Sequence, residues 1–407
     1  MKNLFNFLYS TRLMAVLFIV FATAMGVATF IENDYGTQTS KALIYNAWWF
    51  EAIMALFIIN FFGNIFRYRL YKKEKWAVLL FHSAFLLILV GAGITRYVGY
   101  EGIMLIEEGE TTNKFLSETT YVNLVVDNNE IQKTSNQPIL LSAWGSNTWS
   151  YQDDFKGINY KVDLVDYIPW AEKKFIEDEN GVEHLFFVES SEGSRHEHWI
   201  KKGTIQNIHG VLVGFEAENN NASLNFSNKN GALTMISKTD GDWFRMADQK
   251  RGTVAKDTLQ EFQYLTLHNI GKLQFVIPKP AEKGIIKTIR GPKSDTAKDM
   301  IVLDVTANKQ TKRVELTGGK FNTEGAKNFA LGGLNFRLLY GAKILETPFS
   351  IKLNDFQLEK YPGSESAASY ASEVTVIDPK ETFDYRIYMN HILDHRGYKF
   401  FQASYDL

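Results

Sequence analysis

Residues 76–94 read WAVLLFHSAFLLILVGAGI, nineteen positions with no formal charge and a single histidine at 82. At about 1.5 Å per residue, a helix of that length crosses roughly 28 Å, the depth of bilayer hydrocarbon. The stretch therefore predicts a transmembrane helix. Two runs of the same kind precede it, Leu13–Phe30 with no charge and Trp48–Phe66 with only Glu51. Lys2 and Arg12 form a basic leader, and Ala22-Thr23-Ala24 imitates a cleavage site. The first run nevertheless exceeds the roughly 7–15 apolar residues of a signal peptide, so it reads as an uncleaved anchor.

Lysine and arginine set the orientation. The loop from Arg67 to Lys75 holds five basic residues and one acid, whereas the loop between the first two runs has Lys41 against Glu32 and Asp34. By the positive-inside rule the Arg67–Lys75 loop and the N-terminus are cytoplasmic, and everything beyond Arg96 is delivered to the other side. Trp48, Trp49, Tyr68, Tyr71, Trp76, Tyr97 and Tyr100 fall at the span borders, as interfacial aromatics do.

From about residue 99 to 407 the hydrophobic pattern becomes alternating. Phe349, Ile351 and Leu353 are interleaved with Ser350, Lys352 and Asn354, the period of a strand with one wet face. Such segments recur along the chain, separated by turn signals at Asp127-Asn128-Asn129, Asn180-Gly181, Asn230-Gly231 and Gly318-Gly319. The expected fold is a membrane protein with three N-terminal transmembrane helices (about 13–30, 48–66 and 76–94, within residues 1–98) followed by a large all-β, antiparallel, sandwich-like extracytoplasmic domain. The stretch Pro278–Met300, with three prolines, two glycines and six basic residues, reads as a long loop or a boundary between two lobes.

Composition excludes several chemistries. With no cysteine there is no disulfide, no thiolate-bound zinc or iron–sulfur cluster, and no cysteine nucleophile. A net charge of −2 argues against a nucleic-acid binder that works by neutralising phosphates. No GxSxG, Walker loop, HExxH or dinucleotide fingerprint occurs.

His82 is the one ionisable side chain within the third run, about 9 Å from the Trp76 border. Low dielectric favours neutral imidazole with a lone pair, the state an iron ligand requires; the other reading is a helix-packing histidine. Met14, at similar depth, reads as packing surface, and Met54 is poorly placed for a ligand. Glu51 reads as solvated at the outer interface, and Gly91, Gly93 and Gly99 as positions for close helix approach. His196 and His198 would share one face of a strand, but no further ligand stands at recognisable spacing. His391 and His395 lie in strand-and-turn sequence, where their spacing carries little weight.

Short pieces of sequence then line up in order: Tyr35-Gly36-Thr37, Trp48-Trp49-Phe50, Asn60, Arg67, His82 with Ile88-Leu89-Val90-Gly91-Ala92, Gly99-Tyr100-Glu101-Gly102, and Glu108-Gly109. Leu353-Asn354-Asp355-Phe356, Tyr361-Pro362-Gly363, Met389-Asn390 and Gly397-Tyr398 through Tyr405 follow. Together they resemble the ResB-like (CcsB) family of cytochrome c biogenesis proteins. The resemblance implies that His82 is the transmembrane axial ligand to the iron of haem b, which is transported and not permanently held. It also implies a component of a cytochrome c haem lyase (synthase) complex, inactive alone, in the bacterial cytoplasmic (inner) membrane. Its partners would be a CcsA-type haem-handling membrane protein, apocytochrome c and membrane lipid. Family members continue into a fourth span, so a chain stopping at Leu407 reads as a truncated or split product. The competing reading is a membrane-anchored β-domain scaffold without a cofactor.

Overall fold

The computed structural model describes residues 2–190, 193–218, 221–229, 232–294, 296–364 and 366–403. The Asn230-Gly231 turn and the end of the distal segment, Ser404 to Leu407, lie outside the described residues.

Three helices are long and apolar enough to cross a membrane. The first, Thr11–Tyr35, outruns its apolar stretch at both ends. Ser10 caps its start, the hydroxyl accepting from the Leu13 N–H at 3.1 Å, and Gly36 ends it at φ 81°. The second is Trp48–Arg67 and the third Trp76–Tyr97. A short helix, Lys2–Leu8, precedes them and breaks before Ser10. The carbonyls released by that break are met from the second span: the buried Asn60 amide donates to the Leu8 and Ser10 carbonyls at 2.6 and 3.1 Å. At bilayer depth no water could replace those bonds. Asn64 donates to the Asn60 side chain, and Arg67 reaches the Asn6 and Tyr9 carbonyls.

Leu17, Ile53, Phe57 and Phe61 form the packed seam of the spans, with Phe85, Leu86 and Leu89 of the third laid against it. That third helix buries no residue of its own. Gly91 and Gly93, read as sites of close helix approach, have nothing within 4 Å of where a Cβ would stand, so within this chain they bring no helix near.

Beyond the helices the chain divides into two compact units: Glu172–Ile289, and all that precedes and follows it. The first unit contains a seven-stranded sheet ordered Gly102–Ile103, Thr111–Asp127, Leu334–Lys360, Ala367–Ile377, Thr382–Tyr388, with Gln132–Pro138 and Lys327–Leu331 on its two long strands. A four-stranded sheet, Gln310–Gly318, Asp299–Ala307, Ile158–Ile168, Ser150–Phe155, faces it. Val122, Leu124, Phe336 and Leu338 of one sheet and Tyr160, Val162, Leu303 and Val305 of the other make a single buried core, which defines a sandwich. Each of these side chains contributes about 1.5–3 kcal/mol by leaving water.

The second unit repeats the architecture with seven- and five-stranded sheets around Leu185, Phe187, Phe275, Val213, Phe226 and Leu233. One pairing departs from the antiparallel expectation: Leu224–Lys229 runs parallel to Val211–Phe215, with Leu224 opposite Val213. The stretch Pro278–Met300 also differs from the expected loop. It contains the strand Glu282–Arg290, which pairs with Ala171–Glu189 and carries Lys283 and Lys287 on exposed positions. The two units are not consecutive lobes, since the second is inserted between residues 171 and 290 of the first.

Candidate functional site

His82 lies on the face of the third span that also presents Phe85, Leu86 and Leu89 to the other helices, at the i, i+3, i+4, i+7 spacing of one helical stripe. Its ring meets Phe61 edge to face at 5.2 Å between centroids, and Phe81 at 6.0 Å. Nδ1 stands 2.9 Å from the Val78 carbonyl. A carbonyl only accepts, so Nδ1 carries the proton and the lone pair resides on Nε2. Among the described residues no hydrogen-bond partner meets Nε2. This is the usual preparation of a ligating imidazole, one nitrogen held by the protein and the other turned outward. Met14 and Met54 lie among the packing residues of the same helix cluster. Glu51 is not merely solvated: Arg96 at the end of the third span pairs with it and also donates to the Tyr45 carbonyl.

A larger feature was not legible beforehand. A cavity of about 1440 Å³ opens where the C-terminal ends of the first and third spans meet the first unit's sandwich, with Tyr35, Lys41, Arg96, Glu118, Tyr167 and Lys320 among its walls. It exceeds the roughly 300–1,000 Å³ of ordinary small-molecule pockets. The helix ends are clipped to the sandwich around it. Gln38 donates to Thr120 at 3.2 Å, Thr39 accepts from the Ala143 N–H at 3.0 Å, and Tyr35 stacks on Trp144. Lys293 reaches the Glu32 and Asn33 carbonyls. One wall is the Gly318–Glu324 loop, where Asn322 donates to the Tyr340 carbonyl at 3.1 Å. Gly341 makes that loop's approach feasible, since a Cβ there would lie 1.9 Å from the Asn322 carbonyl oxygen.

The charges in the cavity wall are organised. Lys41 and Lys320 each stand 3.1 Å from the same Glu118 oxygen. Burial alone would raise the Glu118 carboxyl, but hydrogen bonds from Glu101, Lys320 and Lys41 overcome it and hold Glu118 at about 2. Glu101 moves the other way, raised by its hydrogen bond to Glu118 and by burial. Asp299 is raised by burial against the opposing bonds from the Trp170 N–H and the Tyr167 hydroxyl.

Elsewhere, His391 stacks on Tyr385 and Tyr388, and His395 sits 3.2 Å from Asp378, both structural arrangements. His196 and His198, read as lacking a further ligand, lie beside Glu189 and His209 in the second unit.

Fold and site together define a membrane protein in which three apolar helices precede a β-sandwich and one imidazole, held at Nδ1, sits within the third helix. The ResB-like family model matches residues 72–136 and 316–407, so the chain is similar to that family over those two segments. The matched segments contain the His82 helix and the two long strands, Thr111–Asp127 and Leu334–Lys360, that pair with each other in the seven-stranded sheet. The chain is also similar to Protein NrfI of Wolinella succinogenes, 27% identical over 407 residues. That alignment takes in 99% of this chain and 31% of the relative, so the chain spans about a third of that protein's length.

Proposed function

We propose that this chain is the ResB-like subunit of a membrane cytochrome c synthase, and that it acts in cytochrome c maturation by holding haem during its delivery to apocytochrome c. The observation that carries the reading is the hydrogen bond of His82: Nδ1 is committed to the Val78 carbonyl, and Nε2 is left for a ligand. Those residues suit one axial bond to haem iron, with haem as cargo. The second axial ligand and the Trp-rich haem-handling segment would come from a CcsA-type membrane protein. The exposed third span, bearing Gly91 and Gly93 with open space beside them, is where helices of that partner would pack.

The β region faces the extracytoplasmic side of the bacterial inner membrane in this reading, consistent with the basic Arg67–Lys75 loop at the opposite border. Arg96 stands fourteen residues beyond His82, about 21 Å along the helix, so the cavity and the imidazole occupy opposite leaflets. The cavity then serves as the place where haem and apocytochrome thiols are brought together, and catalysis is chiefly positioning. The thioether bonds form between haem vinyl groups and the apocytochrome's cysteines; a chain without cysteine does not compete for those vinyls.

The test is the haem absorption spectrum of the chain purified with its CcsA-type partner, wild type against His82→Ala. Loss of bound haem and of cytochrome c yield in the variant is expected. Unchanged haem content and yield would remove His82 from the mechanism.

A further inference from the structure

We propose that Glu189, His196 and His209, with His198 as the fourth donor, bind a divalent transition-metal ion of the zinc or copper type. The four residues come from three elements of the second unit: the strand Ala171–Glu189, the strand His196–Lys201 and the turn after Thr204–Ile208. Glu189 closes the strand Ala171–Glu189, and hairpin register sets His196 directly opposite it and His198 opposite Phe187. Residues two apart on a strand share a face, so both imidazoles project toward the side occupied by Glu189. His209 arrives from the other sheet, at the two-residue turn joining Thr204–Ile208 to Val211–Phe215, where Ile208 pairs with Val211.

One donor atom from each of Glu189, His196 and His209 lies within 4.8 Å of the others. Zinc bonded to nitrogen and oxygen at about 2.0–2.2 Å keeps its ligands roughly 3.3 Å apart, so side-chain rotations of an ångström or so would close the set. His209 Nε2 is already 3.0 Å from Glu189 Oε1, and His198 Nε2 is 3.6 Å from the same oxygen. His198 Nε2 is buried and has no hydrogen-bond partner. The Glu189 side chain is 0% exposed, an expensive position for a carboxylate unless positive charge faces it. A dication answers both features at once. Three imidazoles and a carboxylate, without thiolate, suit Zn²⁺ or Cu²⁺ over Mg²⁺ or Ca²⁺. Outer partners are present too: the Ser194 hydroxyl is 2.8 Å from His196 Nε2, and the Gln206 amide is 3.4 Å from His198 Nδ1. The ion would staple the hairpin of one sheet to the hairpin turn of the other, across the second sandwich. All four residues fall outside the segments matched by the family model, so the site would belong to the inserted unit.

The test uses the full chain in detergent, stripped with a chelator and dialysed against Zn²⁺ or Cu²⁺, with bound metal counted by mass spectrometry. About one ion per chain is expected for the wild type, with a melting temperature raised by the metal. In His196→Ala and His209→Asn, affinity should fall at least roughly tenfold. Asparagine tolerates the positive φ of 46° at position 209, so that variant keeps the turn. His391→Ala should bind as wild type does. Co²⁺ should give the intense visible absorption of a tetrahedral site in the wild type and lose it in both ligand variants. Absence of stoichiometric metal from the wild type, or equal binding by the wild type and the double variant, would overturn the proposal and leave an ordinary buried ion pair. Neither outcome bears on His82.

Discussion

Asn60 of the second span donates its side-chain amide to the carbonyl of Leu8, at 2.6 Å, across a break between two helices. The bond has no substitute at bilayer depth, and the glycine one turn further on leaves room for the chain it holds: a Cβ on Gly63 would lie 1.9 Å from the Tyr9 ring. Asn60→Leu leaves the Leu8 carbonyl unmet, at a cost of about 1–3 kcal/mol, while the Ser10 carbonyl keeps the Met14 N–H at 3.2 Å. Gly63→Val must push the N-terminal helix away. Both variants should lower the melting temperature of the detergent-solubilised chain and expose residues 2–10 to protease. Wild-type protection of that segment in Asn60→Leu would refute the assignment.

For His82, removing the side chain and supplying it from solution separates a ligand from a packing residue. His82→Gly, purified with its partner, should hold roughly tenfold less haem or lower still. Added imidazole, able to occupy the space beside Phe61, should restore the haem band. A purely structural histidine predicts no dependence of the spectrum on imidazole.

The Glu51–Arg96 pair ties the start of the second span to the end of the third. Either single replacement by glutamine should loosen the helices. The double variant, Glu51→Gln with Arg96→Gln, should lose less than the sum of the two singles, with a coupling of about 1 kcal/mol. Additive single effects in a double-mutant cycle of unfolding would show that the two side chains do not act together.

The second unit should lose stability in mild acid through His268. Its ring stacks between Phe262 and Phe275 at 4.3 and 5.4 Å between centroids. Burial pushes it down to about 4, with the Thr266 carbonyl on Nδ1 opposing. The unfolded chain, with an ordinary value near 6.5, binds more protons between those limits. The contribution is therefore complete above about pH 6.5, declines as the pH falls, and levels off near 4, a loss of roughly 3 kcal/mol. Urea midpoints of the chain at pH 7 and pH 5 should differ in the wild type and converge in His268→Phe. An equal pH response in both would exonerate this histidine.

Much of the architecture could be read from local pattern, because span length and strand alternation are properties of consecutive residues. Leu13–Phe30, Trp48–Phe66 and Trp76–Ile94 each lie inside a spanning helix. The alternating Phe349–Asn354 segment lies inside the long strand Leu334–Lys360. The Lys2–Leu8 helix escaped notice because its stability comes from Asn60 and Arg67, more than fifty residues away. Insertion of the second unit was equally hidden, since strand Glu282–Arg290 has weak alternation and earns its place only by pairing with Ala171–Glu189.

Of the functional features, the sequence by itself determined that the imidazole at position 82 lies within a long apolar helix, because residues 76–94 carry no formal charge and one histidine. Tertiary structure alone decided which nitrogen of that ring stays open, how seven separated segments enclose the cavity, and that Glu189 meets His209. Those outcomes depend on strand register and helix contact between residues far apart in the chain, and sequence periodicity records only what neighbours do.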